Sequence, residues 1–181
     1  MTKKVKNISK FLSYVLRHNP DKLGITLDAN GWTSVKTLLE KINVDNYSLS
    51  METLEEVVAT NNKKRFAFNE DKTMIRANQG HSVNIDLALQ SKEPPNYLYH
   101  GTVEKFMESI REKGLIKGSR QHVHLSADKE TAINVGSRRG KPIILTIRSG
   151  EMHAKGYTFY QSENGVWLTE AVPTKFITFE K

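Results

Sequence analysis

The sequence contains no cysteine among its 181 residues. Disulfide bonds, thiolate zinc sites and a cysteine nucleophile are therefore excluded, and nothing indicates an oxidising compartment. No apolar run approaches the length that crosses a membrane, and the lysine-rich start lacks the apolar stretch of a signal peptide. We therefore expect a soluble, cytoplasmic protein with no membrane partner.

Several familiar catalytic motifs are also missing. The sequence has no glycine-flanked nucleophilic serine, no Walker phosphate loop and no glycine fingerprint for dinucleotides. The net charge of +7 is shared between +4 in residues 1–82 (13 basic, 9 acidic) and +3 in residues 83–181 (14 basic, 11 acidic). A positive field over both halves gives weak support for a polyanionic partner such as RNA.

Residues 1–82 combine helical and strand patterns. The predicted elements are helices over 8–16, 35–42 and 54–58, a short strand over 24–27, and a hairpin of strands 64–68 and 73–77. Asn19-Pro20 ends the first helix, because proline cannot continue it. This combination of helices and hairpin favours a winged-helix unit.

Residues 83–96 are predicted to be a linker, since the periodicity weakens there and Glu93-Pro94-Pro95-Asn96 is typical of a boundary loop. Strand patterns dominate residues 97–181. The predicted strands cover 97–100, 122–126, 142–147, 157–161, 166–169 and 176–179, with helices after Val103 and Asp128. The chain is therefore predicted to be an α+β protein, with one large or two small domains.

Arg17 and His18 follow the apolar stripe of the first helix, with Arg17 on its polar face. Arg65 lies in an alternating run that sends Phe66 and Phe68 to the opposite face. Each residue alone fits a solvated surface position. Guanidinium groups, however, bind phosphate through paired, charge-assisted hydrogen bonds. Together they predict an anion site.

A second cationic group follows later in the chain. Arg120, His122, His124 and Ser126 are spaced by two, so that a strand would place all four side chains on one face. Three histidines, with His100 as the third, could instead bind zinc. Arg120 would oppose a dication, and no neighbouring carboxylate is available to orient the imidazoles. An anion is therefore the favoured ligand, and no metal is expected.

Two further segments carry polar groups at turns. His100-Gly101-Thr102 is predicted to end a strand, with Thr102 capping a helix whose N-terminus offers N–H groups to a nucleotide. Residues 76–82 place hydrogen-bonding side chains around Gly80. A phosphate or ribose contact and an ordinary turn both remain open for this segment.

Five segments together resemble the RNA 2′-phosphotransferase family: Leu16-Arg17-His18, Lys64-Arg65-Phe66, Ala77 to Ser82, His100-Gly101-Thr102 and Arg120 to Ser126. They occur in order over nearly the whole chain. The resemblance implies an N-terminal winged-helix lobe and a C-terminal lobe similar to ADP-ribosyltransferases, with a split β-sheet. It also implies removal of an internal 2′-phosphate from RNA, typically at the splice junction of tRNA, with NAD⁺ as the acceptor.

The implied reaction has two steps. The 2′-phosphate attacks the anomeric carbon of the nicotinamide ribose and expels nicotinamide, which leaves RNA joined through phosphate to ADP-ribose. The ribose 2″-hydroxyl then attacks phosphorus, releasing 2′-hydroxyl RNA and ADP-ribose 1″,2″-cyclic phosphate. A phosphomonoester, whose second pKa is about 6, is largely dianionic at neutral pH. The first step therefore needs no general base.

By the same resemblance, Arg17, His18 and Arg65 hold the 2′-phosphate, while Arg120 stabilises the second transition state and His18 carries a proton. The implied NAD⁺-binding residues are His100, Gly101, Thr102, His124, Ser126, Arg138 and Arg139. For the last two arginines, RNA contact and a solvated loop are alternatives. Glu170 lies near the position of the glutamate of ADP-ribosyltransferases, but a phosphate acceptor makes that role dispensable.

Two other functions remain open. A winged-helix nucleic-acid binder could sense NAD⁺ or ADP-ribose through its second lobe. Its recognition helix would be basic, however, whereas the third helix here carries Glu52, Glu55 and Glu56. An ADP-ribosyltransferase that modifies nucleic-acid ends or phosphates would stop after the first step, and product analysis distinguishes it.

Overall fold

The computed structural model describes residues 2–44, 49–61 and 63–179. The chain forms two compact units, Met1–Ala88 and Leu89–Lys181, each with helices and small antiparallel sheets. The predicted α+β class is therefore confirmed. Within the described ranges, no helix combines the length and the apolar character needed to cross a membrane.

The boundary between the units lies inside the segment 83–96. On one side of it, the Asp86 N–H donates to the Ala29 carbonyl oxygen at 2.7 Å. On the other side, the Lys92 N–H donates to the Phe159 carbonyl oxygen at 2.8 Å. Both parts of the segment are thus hydrogen-bonded to the unit that they adjoin.

In the described part of the first unit, three α-helices pack around an apolar core. They are α1 (Lys3–Arg17), α2 (Val35–Val44) and α3 (Met51–Ala59). α1 begins where the Thr2 side chain accepts a hydrogen bond from the Val5 N–H, and its apolar stripe buries Leu12 and Leu16 completely. α3 begins in the same way at Ser50. These are the helices that the apolar spacing predicts.

A three-stranded sheet completes this unit. Its strands are β1 (Thr33–Ser34), β2 (Phe66–Phe68) and β3 (Met74–Ala77), in the order β1-β3-β2. The predicted hairpin is confirmed, but the predicted strand over 24–27 is wrong. Pro20–Leu23 forms a 3₁₀ turn that Gly24 ends at φ 59°, and the Ile25 N–H donates back to the Pro20 carbonyl oxygen. That backbone is therefore engaged locally instead of in a sheet.

The second unit contains more strands. Its elements are β4 (Leu98–Thr102), α4 (Met107–Lys113), β5 (Leu115–Ile116), β6 (Val123–Leu125), α5 (Lys129–Gly136), β7 (Ile143–Ile147), α6 (Ser149–Ala154), β8 (Phe159–Gln161), β9 (Trp167–Thr169), β10 (Ala171–Val172) and β11 (Ile177–Phe179). The sheet orders are β11-β7-β4, β6-β9-β8 and β10-β5. Tyr99 and Ser126 exchange backbone hydrogen bonds at 2.9 and 2.8 Å, which connects the two three-stranded sheets.

Two local predictions for this unit are wrong. Thr102 lies inside β4, paired with Ile143, so it does not cap a helix. The turn that follows begins at Glu104 without a side-chain cap. The strand predicted over 122–126 is confirmed with shorter bounds, but Arg120 lies before it in a turn where its N–H donates to the Lys117 carbonyl oxygen at 3.2 Å. Arg120 and His124 therefore do not share a continuous strand.

Helix α5 lies directly against β4. A Cβ atom on Gly101 would overlap the carbonyl oxygen of Ala132 and lie 2.9 Å from the Gly136 nitrogen. Asp128 starts this helix, as predicted, by accepting a hydrogen bond from the Thr131 N–H at 2.7 Å. Gly101 is thus required by packing, independently of any ligand.

Candidate phosphate and nucleotide sites

In the first unit, Arg17 and His18 are hydrogen-bonded to the segment that follows the hairpin. The Ser82 N–H donates to the Arg17 carbonyl oxygen at 2.9 Å, and Ser82 Oγ lies 2.9 Å from His18 Nδ1. Arg17 is half-buried, and its Nε and Nη2 atoms are shielded from solvent. The surrounding chain thus encloses the Arg17 end of α1, so Arg17 does not occupy the fully solvated position that was the alternative interpretation. Ser82 orients the His18 ring.

Arg65, just before β2, is held through a short polar chain. Its Nη1 donates to Asn61 Oδ1 at 3.1 Å, and the Asn61 side chain, which is buried, donates to Ser9 Oγ of α1 at 3.0 Å. Burial lowers the pKa of the Arg65 guanidinium, which nevertheless remains charged at neutral pH. No carboxylate among the described residues forms an ion pair with Arg65. It is a positioned cation available to an anion.

Residues 78–82 connect these two groups. The Asn78 N–H donates to the Arg65 carbonyl oxygen at 2.9 Å, and the Asn78 side-chain amide donates to the Lys64 carbonyl oxygen at 2.6 Å. Four residues later, Ser82 bonds to the end of α1. Gly80, at φ 86°, makes the bend between them. The segment therefore holds the Arg65 backbone at one end and the Arg17–His18 pair at the other.

His81 lies in the segment that the sequence left open as a phosphate or ribose contact, but the sequence did not single out its ring. His81 is 1% exposed, and neither ring nitrogen has a hydrogen-bond partner among the residues that the structure describes. Burial, followed by the charges of Arg17, His18 and Arg76, lowers the pKa of His81 to about 3. The ring is therefore neutral at physiological pH. Its position after a glycine in a polar segment was the only signal in the sequence.

In the second unit, His100 presents a hydrogen-bond acceptor. Its Nδ1 lies 3.0 Å from the His124 carbonyl oxygen. Since a carbonyl oxygen only accepts, Nδ1 donates, and Nε2 of the neutral ring carries the lone pair. Burial lowers the pKa of His100, this hydrogen bond opposes the shift, and the charges of Arg120 and Arg139 add to it. A neutral His100 suits a ligand hydroxyl or amide N–H.

Arg120 and His124 are in direct contact. Arg120 Nη1 lies 3.2 Å from His124 Nδ1. A guanidinium only donates, so Nδ1 accepts and the His124 hydrogen resides on Nε2. Partial desolvation, and then the charge of Arg139, lowers the pKa of Arg120. Within the described ranges, no carboxylate forms an ion pair with Arg120. This pair can present N–H donors to a phosphate.

His122 has different neighbours from His124. Its ring packs edge-on against Tyr160, with centroids 5.6 Å apart. Burial lowers the pKa of His122, the charge of Glu170 opposes the shift, and that of Lys117 adds to it. Glu170 is exposed and forms an ion pair with Lys117. The carboxylate that the sequence singles out is thus engaged with a lysine at the surface.

The remaining predicted residues lie around this group. Arg138 and Arg139 are exposed in the 3₁₀ turn Ser137–Arg139, and the Arg139 guanidinium lies 5.7 Å from the Phe106 ring centroid. Arg139 is near enough to lower the pKa of both His100 and Arg120. Ser126 is half-buried at the connection between the sheets, and Thr102 is buried.

Both units therefore carry partly desolvated arginines beside neutral histidines. No set of three or more histidine or acidic side chains suited to a metal ion occurs in the part of the chain that is described. Arg65 and Arg120, which form no ion pair with a described carboxylate, are the kind of cationic group that is characteristic of sites for phosphate esters. The fold is that of a two-unit α+β protein, and these groups favour a phosphorylated ligand.

Comparison with known proteins makes this class specific. The model of the RNA 2′-phosphotransferase, Tpt1/KptA family matches residues 2–171. Relatives named "Probable RNA 2′-phosphotransferase" include one from Flavobacterium johnsoniae, 62% identical over 175 residues (97% of this chain, 96% of the relative). One from Burkholderia pseudomallei is 55% identical over 171 residues (94% and 93%), and one from Acaryochloris marina is 50% identical over 176 residues (97% and 97%).

The chain belongs to the RNA 2′-phosphotransferase family, which is a family of enzymes. The resemblance inferred from the five sequence segments is thereby confirmed.

Proposed function

We propose that this enzyme removes an internal 2′-phosphate from RNA, such as spliced tRNA, with NAD⁺ as co-substrate. The proposed products are 2′-hydroxyl RNA, nicotinamide and ADP-ribose 1″,2″-cyclic phosphate, formed through an RNA-2′-phospho-ADP-ribose intermediate. Family membership supports the removal of RNA 2′-phosphate. The observation that carries the proposal is that Arg65 and Arg120, one in each unit, are partly desolvated cations with no described carboxylate as counter-ion.

The first unit is assigned to the RNA 2′-phosphate. The dianionic phosphate is already a nucleophile, so it needs position and charge compensation more than a base. Arg65 is positioned by Asn61, and His18 by Ser82, before any ligand arrives. Arg17 adds a second guanidinium at the end of α1. Such preorganised cations stabilise a phosphoryl group without further rearrangement.

The second unit is assigned to NAD⁺, whose nicotinamide leaves with the bonding electron pair as the phosphate attacks the ribose. His100 Nε2 would accept a hydrogen bond from a ribose hydroxyl or the carboxamide. The other residues assigned to NAD⁺ are Gly101, Thr102, His124, Ser126, Arg138 and Arg139. Gly101 contributes at least by allowing α5 to approach β4.

In the second step, charge increases on the phosphoryl oxygens as the ribose 2″-hydroxyl attacks phosphorus. Arg120, with its guanidinium oriented by His124, would stabilise that charge. His18 would carry the hydroxyl proton, and the contact with Ser82 would set its ring orientation. Arg120 is therefore expected to act mainly on the second step and Arg65 on the first.

The proposed architecture follows the same division. Three helices and the β1-β3-β2 sheet support a winged helix in the first unit. In the second unit, two three-stranded sheets that meet at the Tyr99–Ser126 backbone bridge support an ADP-ribosyltransferase-like split sheet.

The test is incubation with NAD⁺ and a short RNA bearing one internal 2′-phosphate, without added metal. We expect dephosphorylated RNA and the cyclic phosphate, and folded protein that leaves the 2′-phosphate intact would refute the proposal. Arg120→Ala should accumulate ADP-ribosylated RNA, whereas Arg65→Ala should not form it. Arg111→Ala, which removes an exposed arginine on α4, serves as the control and should retain activity. A wild-type reaction that ends at ADP-ribosylated RNA would indicate an ADP-ribosyltransferase instead.

A further inference from the structure

One face of α1 carries exposed lysines over its first two turns. Lys3, Lys6 and Lys10 are exposed and follow one another at intervals of three and four residues, which places them in one row. The same row, seven residues beyond Lys10, reaches Arg17. We call Lys3, Lys6 and Lys10 the α1 basic face. α1 contains no acidic residue, whereas α3 carries three glutamates and no basic residue.

Helix stability does not account for these lysines. The N-terminal end of a helix carries partial positive charge and favours acidic side chains, yet the first turns of α1 hold lysines and no acid. No carboxylate within residues 2–44, 49–61 and 63–179 lies at ion-pair distance from Lys3, Lys6 or Lys10. A polyanion would supply the charge that the surrounding protein lacks.

Tyr14 adds an aromatic surface beside this face. It lies one turn beyond Lys10 and one turn before Arg17 and His18, and it is 43% exposed. The Asn19 amide donates to its hydroxyl at 3.0 Å, and Lys22 Nζ lies 5.7 Å from the ring centroid. An exposed ring held in one orientation beside cations is suited to stacking with a nucleobase.

We propose that the α1 basic face and Tyr14 bind the single-stranded RNA that flanks the 2′-phosphate. The lysines contact the phosphate backbone, and one base stacks on Tyr14. This proposal rests on the proposed function, because it places the RNA substrate next to Arg17. The rise from Lys3 to Arg17 is about 21 Å, long enough for several backbone phosphates of one strand. The glutamates of α3 make that helix unsuitable for the same role.

The backbone contacts are tested by binding, separately from turnover. Anisotropy of a labelled single-stranded RNA with one 2′-phosphate is measured without NAD⁺ at several salt concentrations. The slope of log K against log salt is negative, and each lost contact to a single strand reduces its magnitude by about 0.7. Lys6→Gln with Lys10→Gln should therefore reduce the magnitude of the slope by about 1.4. The control pair, Lys36→Gln with Lys41→Gln on exposed positions of α2, changes net charge equally. Equal slopes for both pairs would overturn the proposal.

The stacking contact is tested with Tyr14→Leu and Tyr14→Phe. The leucine variant should bind RNA about tenfold more weakly, whereas phenylalanine should keep most of the affinity because it keeps the ring. Tyr97→Leu, at a tyrosine that is 54% exposed, is the control and should bind as the wild type does. With RNA whose flanking nucleotides lack bases, Tyr14→Leu and wild type should bind alike. If Tyr14→Leu lost equal affinity for RNA with and without bases in the flanking nucleotides, Tyr14 would not be a stacking residue.

The two proposals fail in distinguishable ways. Suppose that RNA is not turned over, but that the double lysine variant of α1 changes the salt slope and that of α2 does not. The proposed reaction is then refuted, and the proposed RNA-binding surface is supported. If turnover is normal but the two double variants have equal salt slopes, the proposed RNA-binding surface is refuted and the proposed reaction is supported. Competition by polyglutamate as effective as that by unlabelled RNA would indicate an acidic protein partner and would overturn the RNA assignment.

Discussion

The buried imidazole of His81 predicts that the first unit loses stability in mild acid. Its pKa is about 3 in the folded chain because of burial and the charges of Arg17, His18 and Arg76, against an ordinary value of 6.5. Between these two values the unfolded chain binds a proton that the folded chain excludes. The free energy of unfolding therefore falls as pH falls through this window, and the loss is complete below pH 3.

The size of the effect follows from the two pKa values. Relative to pH 7, the free energy of unfolding should decrease by about 2 kcal/mol at pH 5 and about 3 kcal/mol at pH 4 from this group alone. Against a typical stability of about 5–15 kcal/mol, such a loss is readily measured.

Urea unfolding of ¹⁵N-labelled protein at pH 7, 5 and 4 provides the assay. The indole resonance of Trp32 reports on the first unit, and that of Trp167 reports on the second. In His81→Asn, or in His81→Gln if asparagine does not fold, the loss seen through Trp32 between pH 7 and pH 4 should shrink by about 3 kcal/mol. His153→Asn, at an exposed histidine of the second unit, is the control and should leave the Trp32 transition unchanged.

Two outcomes would refute this reasoning. One is an equal acid sensitivity of wild type and His81→Asn at Trp32. The other is a His81 ring whose NMR shifts titrate between pH 5 and 8, because a ring protonated in that range cannot be the buried neutral group described here.

Two further predictions concern contacts described above. Ser82→Ala should lower the single-turnover rate about 2- to 10-fold at saturating RNA and NAD⁺, as expected for the loss of one orienting hydrogen bond. Ser82→Thr should keep the rate because it keeps the hydroxyl. An alanine variant that reacts at the full rate would contradict the orienting role. Gly101→Ala should lower the free energy of unfolding of the second unit by about 3 kcal/mol in urea titrations, because the methyl group would displace α5. Gly118→Ala, where a Cβ meets open space at φ 60°, should cost about 1 kcal/mol, and equal losses at the two sites would count against the packing argument.

Local patterns predicted much of the secondary structure. The three helices of the first unit, its hairpin and the Asp128 cap depend on apolar spacing and on groups a few residues apart, which one stretch of sequence contains. Residues 24–27 do not form the predicted strand, because the Ile25 N–H donates a hydrogen bond to the preceding turn. Thr102 does not cap a helix as predicted, because its pairing with Ile143, forty-one residues later, continues the strand past His100. Neither competing hydrogen bond is visible in local composition.

In the candidate site, too, the sequence predicted some features and could not predict others. Arg17, Arg65 and Arg120 are recognisable in the sequence because guanidinium groups without acidic neighbours suggest anion binding. Their catalytic roles remain predictions. The neutral state of His81 was not predictable, since desolvation depends on every element packed around a ring.

The sequence by itself determined the amphipathic helices, the absence of cysteine chemistry and the family-specific segments. Only the tertiary structure decided that Ser82 holds His18, a contact between residues 64 positions apart, and that α5 packs on Gly101. The physical reason is range: helical periodicity and capping act over a few residues. Burial, charge proximity and orienting hydrogen bonds exist only once distant segments have come together.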